Sequence, residues 1–181
     1  VRALILLGRF LDMGPWAVQL ALSIGIFPYV LKLLQSAAAE LKPVMVFIWT
    51  RILAVDISCQ PDLIKDSGYN YFSQILKPSE GLPVANSDEH KAMCAFVLAM
   101  LCKGYKAGQV VCNQTDIMLY CLVHLKNDEN VLLRQWACLC LSQLWLDLPE
   151  AKWRGIRENA PLKLSILAKD PCCEVRAAVV H

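Results

Sequence analysis

A chain of 181 residues with 18 basic and 16 acidic side chains has a net charge of only +2, and those charges are scattered along it. No strong field is available to attract a polyanion, so nucleic acid is not an expected partner. Apolar residues make up 56% of the sequence, above the roughly 45–50% of an average globular domain, so either the core is large or some apolar surface meets something outside the chain.

Arg2 to Leu11 has helical spacing and is stopped by Asp12, Met13, Gly14 and Pro15, with Pro15 suited to the first turn of the next helix. From Trp16 to Leu34 the pattern stays helical but is broken at Gly25 and Pro28, because proline removes a donor and disfavours helix just before it. A third helix is predicted from Pro43, carrying PVMVFIWTRILAV. It is apolar on two sides, with Val44, Ile48, Ile52 and Val55 on one and Val46, Trp49 and Leu53 on another. Such a helix has to be covered from two directions. The same scheme begins again at Pro61, with Gly68 in the place of Gly25 and Ile75 and Leu76 in the place of Leu33 and Leu34. Its third helix is EHKAMCAFVLAMLC from Glu89, and residues 77–88 before it read as a surface loop of variable length. A third unit covers 108–146, where Gln114 to Asp116 stand in the place of the glycine turns, and a fourth starts at Pro149. No strand-like alternation persists anywhere.

The last two units share a grammar. LKNDENVLLRQWACLCLSQL, from 125, is answered 42 residues later by LAKDPCCEVRAAVV, with Leu125, Asp128 and Arg134 matched by Leu167, Asp170 and Arg176. Each Asp sits in a turn where its carboxylate can take free N–H groups, and each Arg follows inside the next helix, where it is expected to bridge to the Asp of an adjacent turn. Periods of about 40–47 residues mark stacked helical repeats. The fold expected is all-α, a single right-handed armadillo/HEAT-type α-solenoid with repeats at about 15–57, 61–103, 108–146 and 149–181. Its helices should start near 15, 43, 61, 89, 130 and 173. Leu133, Trp136, Ala137, Cys140, Leu141 and Leu144 form one apolar stripe. The large ring of Trp136 is expected to be buried on that stripe, so Trp136→Ala should leave a cavity and cost roughly 3–5 kcal/mol.

Signals for chemistry are weak. The nine cysteines are an odd number and most lie in apolar helical runs, which reads as core packing in a reducing, intracellular compartment. Cys138 and Cys140 point about 200° apart on a helix and cannot converge on one zinc. Asp88, Glu89 and His90 read as a helix start. With no GxSxG elbow and no phosphate-cradling glycine pattern, no catalytic residue, metal ligand or cofactor is expected. Lys152, Arg154 and Arg157 beside Trp153 suit either a solvated face or a phosphate or acidic-peptide contact. The opening residues lack a small-residue cleavage site, so no signal peptide is expected. The longest apolar run, Cys94 to Cys102, has nine residues, about half of a membrane span, so no direct membrane insertion is expected. Trp16, Gln19 and Ser23, at i, i+3 and i+7, form a mixed aromatic and polar stripe typical of binding surfaces; the alternative is a helix edge whose Trp tucks into the preceding repeat.

The segments LLGRFLDMGPWAVQLALSIGIFPYVLKLLQS (6–36), VFIWTRILAVD (46–56), EHKAMCAFVLA (89–99) and LLRQWACLCLSQLW (132–145) together resemble the Raptor family, the regulatory scaffolds of TOR complex one. The resemblance is ordered, covers nearly the whole chain and falls on the family's armadillo/HEAT middle region. It implies a non-catalytic protein of the cytoplasm, recruited to the lysosomal or vacuolar surface. Such a protein holds the TOR kinase, binds Rag-type GTPases through its solenoid and helps present substrates carrying short TOS motifs. The family's GTPase-facing surface includes the first full repeat, where Gln19 is the position carried over. Without the resemblance, the repeats support a protein-binding scaffold or, alternatively, an importin- or catenin-like receptor that grips extended peptides. Receptors of that kind carry a Trp-Asn ladder, and neither Trp49 nor Trp136 has an Asn four residues on.

Overall fold

Helical periodicity without strand alternation should leave a chain made of helices alone. The computed structural model describes residues 2–36, 41–65, 67–78, 87–126 and 129–181, and among them there is no strand. The helices in order are α1 (Arg2–Leu11), α2 (Pro15–Ser23), α3 (Phe27–Ser36), α4 (Lys42–Val55), α5 (Gln60–Lys65), α6 (Tyr69–Leu76) and α7 (Ser87–Cys102). They continue with α8 (Lys106–Asn113), α9 (Ile117–His124), α10 (Val131–Trp145), α11 (Pro149–Arg157), α12 (Ala160–Leu167) and α13 (Cys173–Val180). The expected starts fall at Pro15, Lys42, Gln60, Ser87, Val131 and Cys173. After α1 the order short, short, long recurs, the long helices α4, α7 and α10 having 14, 16 and 15 residues. The chain divides into two compact units, Val1–Tyr71 and Phe72–His181.

In the first unit α1, α2 and α3 pack on α4. Both sides of α4 are used: Val46, Trp49 and Leu53 are buried on one, Ile48 and Ile52 on the other, while Val44 and Val55 near its ends stay half-buried. Phe27 meets the buried Trp49 ring edge-on at 5.4 Å. The break between α2 and α3 is a Schellman turn. Gly25, at φ 77°, donates to Leu22 O while Ile26 N donates to Ala21 O, which satisfies two carbonyls at the helix end. The corner turns the chain by 95°. Among the described residues no single helix is long and apolar enough to cross a membrane.

The later corners use other chemistry. Gly68 is not the left-handed residue that its match to Gly25 suggests; Ser67 takes that role at φ 55°. Gly68 is instead favoured by tight space, since a Cβ there would lie 3.1 Å from Leu63 Cδ2 and push that side chain aside. At the corner between α8 and α9, in the third repeat, no residue has a positive φ: Thr115 closes the turn, its Oγ1 donating to Cys112 O at 2.7 Å and accepting from Ile117 N. In the fourth, Asn159 sits at φ 59°, a conformation that asparagine tolerates better than most residues.

In the second unit α10 lies along α7 and also packs on α13. The buried positions of α7 and α10 are rich in alanine and cysteine, namely Ala92, Cys94, Ala95, Ala99 and Cys102 against Ala137, Cys138 and Cys140, and small side chains let two helix backbones approach closely. Two thiol pairs lie in this core. Cys102 is hydrogen-bonded to Cys112 and Cys140 to Cys121, and these bonds, reinforced by burial, push the Cys102 and Cys140 thiols above their ordinary pKa. Burial drives the Cys138 thiol up to about 12. The carbonyls at the end of α10 are closed from α8: the buried Gln109 amide donates to Gln143 O at 2.7 Å and to Leu146 O at 2.6 Å.

His124, at the end of α9, is buried with Nε2 2.6 Å from Leu76 O. A carbonyl only accepts, so Nε2 carries the proton. Burial depresses the imidazole pKa below 6.5; nearby Lys91 pushes the same way, and the Leu76 carbonyl and Asp88 push back. The unfolded chain therefore takes up this proton first as pH falls, so the histidine's contribution to stability is fully present above pH 6.5 and shrinks below it. Melting temperature should drop between pH 7.5 and 5.5, and His124→Gln should flatten that drop; the same slope in both proteins would show that His124 is not its source.

Candidate functional site

Pro15 starts α2, and the helix divides cleanly into two faces. Ala17, Val18 and Ala21 are buried; Trp16, Gln19, Leu20 and Ser23 are exposed, followed by Ile24 just past the helix end. All three residues expected to form a binding stripe thus reach the surface. Trp16 is 52% exposed, and its ring also meets Phe10 of α1 edge-on at 5.7 Å. The preceding helix holds one edge of the indole and leaves the rest open. Ser23 Oγ donates to Leu20 O at 2.8 Å, so its hydroxyl is engaged with its own helix. The sequence reading missed Leu20 and Ile24, which are 49% and 74% exposed. With Trp16 they recur every four residues, a signal that was present but indistinguishable from a buried stripe. The surface is apolar at its centre with an amide and a hydroxyl beside it, the composition of a protein-binding patch.

Of the matched repeat positions, Asp128 lies outside the described residues. Arg134 is buried on α10 and meets Asp170 of the turn before α13 through two bonds, Nε to Oδ2 at 2.8 Å and a terminal guanidinium nitrogen to Oδ1 at 3.1 Å. Arg176, on α13, turns back to donate to Asp170 O at 2.7 Å and Pro171 O at 3.0 Å. Asp170 Oδ1 also accepts from Cys172 N. The hydrogen bonds from Arg134 hold the Asp170 carboxyl below the ordinary carboxylate range, with Cys172 N and the charges of Arg134 and Arg176 adding to the effect. Trp136 departs from the expected stripe. Leu133, Ala137, Cys140, Leu141 and Leu144 are buried, but Trp136 is only half-buried, with its ring edge-on to Phe96 of α7 at 4.7 Å. It sits at the border of the apolar arc, so truncating it opens less of a cavity than the 3–5 kcal/mol of a fully enclosed ring implies.

The remaining candidates are accounted for locally. Asp88 and Glu89 lie in the first turn of α7, with Lys91 3.6 Å from Asp88. Arg154 donates to Asn113 O and Thr115 O, leaving Lys152, Trp153 and Arg157 as the exposed part of the basic patch. Cys138 and Cys140 are core residues. Among the described residues no group of His, Cys, Asp and Glu is arranged to hold a metal ion.

Arg134→Met would leave Asp170 charged, buried and short of its main partner, and should destabilise the protein by about 3–5 kcal/mol. Adding Asp170→Asn, which removes the charge and keeps an acceptor for Cys172 N, should recover part of that loss. Urea denaturation measures both; a single-mutant loss under about 1 kcal/mol would mean that the pair contributes as little as a surface salt bridge.

The helix order and corners define an α-solenoid of the armadillo/HEAT class. A designed armadillo repeat protein solved with the peptide (KR)4 shares this fold at TM-score 0.76, with 18% identity over 99% of this chain and 72% of its own. Over nearly its whole length the chain belongs to the Raptor family of TOR complex 1 subunits. It is 61% identical across 99% of its residues to the target of rapamycin complex 1 subunit mip1 of Schizosaccharomyces pombe. The crystal structure of Chaetomium thermophilum Raptor superposes at TM-score 0.93 with 75% identity, again over 99% of this chain. The chain spans 14% of the length of mip1 and 17% of that Raptor chain. No protein-family model matches it.

Proposed function

We propose that this chain is a non-catalytic scaffold segment of a TOR complex 1 regulatory subunit, binding the TOR kinase and Rag-type GTPases and helping to recruit TOS-motif substrates. Its place of action on this reading is the cytoplasm, with recruitment to the lysosomal or vacuolar surface. Family membership supports the scaffold role. The observation that carries the GTPase contact is the open face of α2, where Trp16 and Leu20 lie beside Gln19 and Ser23 on a helix whose opposite side is locked into the core. A rigid helix with a half-anchored indole presents contact area at little cost in conformational entropy.

Gln19→Glu or Ser23→Arg should weaken binding of Rag-type GTPases by about 1–3 kcal/mol while kinase binding persists. Both side chains are exposed, so the melting curve should not move. Paired pull-downs of the two partners with full-length wild type and variants test this. Equal loss of both partners, or a lowered melting temperature, would assign these residues to structure and remove the surface.

A further inference from the structure

The two thiol pairs in the core of the second unit have no part in the scaffold reading. Cys102 ends α7 and meets Cys112 of α8, while Cys121 of α9 meets Cys140 of α10, and none of the four is more than 1% exposed. Each pair joins two helices that pack on one another, α7 with α8 and α9 with α10. The pairs are also neighbours, since the Cys140 thiol responds to Cys102 and Cys112 as well as to Cys121. Packing alone does not ask for this. Cys94 serves it without a second thiol, being fully buried and shifted by nothing but that burial.

Thiols that share a hydrogen bond carry their Cβ atoms towards each other across a short gap, as a disulfide requires. What keeps these pairs reduced is protonation and the exclusion of solvent, because the thiolate is the nucleophile. α8 and α9 have eight residues each, and short helices open locally at less cost than long ones with more buried contacts. We propose that Cys102 with Cys112 and Cys121 with Cys140 are latent disulfides, which a hydroperoxide closes when α8 and α9 open, tying each short helix to the long helix beside it. On opening, one thiol of a pair loses its proton and attacks the peroxide; the O–O bond breaks, an alcohol leaves with that proton, and the sulfur becomes a sulfenic acid. The partner thiol then loses its proton, attacks that sulfur and expels hydroxide, and the two combine as water. Two thiols are thus oxidised by two electrons and one hydroperoxide is reduced. When the helices close again the new bond lies in the core, out of reach of thiol reductants until the next opening. Disulfides of this kind in a reducing compartment are transient redox signals and not permanent braces. The inference does not depend on the GTPase reading.

The test treats the full-length protein with tert-butyl hydroperoxide at rising urea below its unfolding transition, then blocks the remaining thiols with N-ethylmaleimide in denaturant. Trypsin and Asp-N separate the partners of each pair, and Cys112 from Cys121 at Asp116, so mass spectrometry reads which peptides are linked. Bonds from Cys102 to Cys112 and from Cys121 to Cys140 should form, about tenfold faster near the transition than without urea, while Cys94 stays free. Amide hydrogen exchange over α8 and α9 should become about tenfold slower in the oxidised protein and recover with dithiothreitol. Cys140→Ala should remove the second bond and leave the first, and Cys112→Ala should do the converse, so a single variant that folds poorly does not decide the matter. Oxidation of the exposed Cys173 shows that the peroxide is active. Cys173 oxidised with neither bond formed, the four cysteines linked in mixed pairings, or α8 and α9 exchanging as fast after oxidation as before would each overturn the proposal.

Discussion

A helix that is apolar on two sides cannot stand at an edge, and this constraint shapes both units. α4 buries Trp49 and Leu53 on one side and Ile48 and Ile52 on the other, so it needs α2 and α3 as well as α1. α10 meets the same demand with α7 and α13. At about 25 cal/mol per Å² of apolar surface removed from water, each uncovered side would forfeit several kcal/mol, a large share of a domain's net stability. The short helices follow from this requirement. In the second compact unit α8 and α9 bring the chain back to start α10 beside α7, and the corner between them has only to reverse direction in a few residues.

Polar groups then decide the fit. The Arg134 and Asp170 pair is buried and short, and a buried pair of this kind is weak evidence for stability in itself, since desolvation offsets much of its attraction. Its value lies in geometry. A two-pronged contact between α10 and the turn before α13 accepts one relative position, whereas alanine and cysteine surfaces accept several, so the pair selects among packings that apolar burial alone would leave close in energy.

The legible part of the fold was the part that periodicity records. Six helix starts could be placed to within two residues because proline, glycine and helical spacing are local signals. The corners were less legible, because a turn can be closed by a left-handed glycine, serine or asparagine or by a threonine hydroxyl, and only the structure shows that Gly68 answers to Leu63 and not to backbone strain. The candidate surface was legible in its polar residues and not in its apolar ones. Leu20 and Ile24 have the same spacing as core positions, and hydropathy cannot distinguish an apolar residue that faces the core from one that waits for a partner. Trp136 shows the reverse error: a large ring at the border of an arc counts fully toward the pattern while only half of it is enclosed.

The amide of Gln109 has a consequence for how this protein can change over evolution. It holds two carbonyls at the end of α10 from a helix that lies more than thirty residues earlier in the chain, so the length of α10 is measured by a distant residue and not by its own last turn. Removing or adding one residue inside α10 would rotate the carbonyl of Gln143 by about 100° away from the amide and take the Gln109 donor from these part-buried acceptors. Change in length is therefore channelled into the connections on either side of α10, and that helix behaves as a fixed ruler along which side chains can be exchanged but the count cannot.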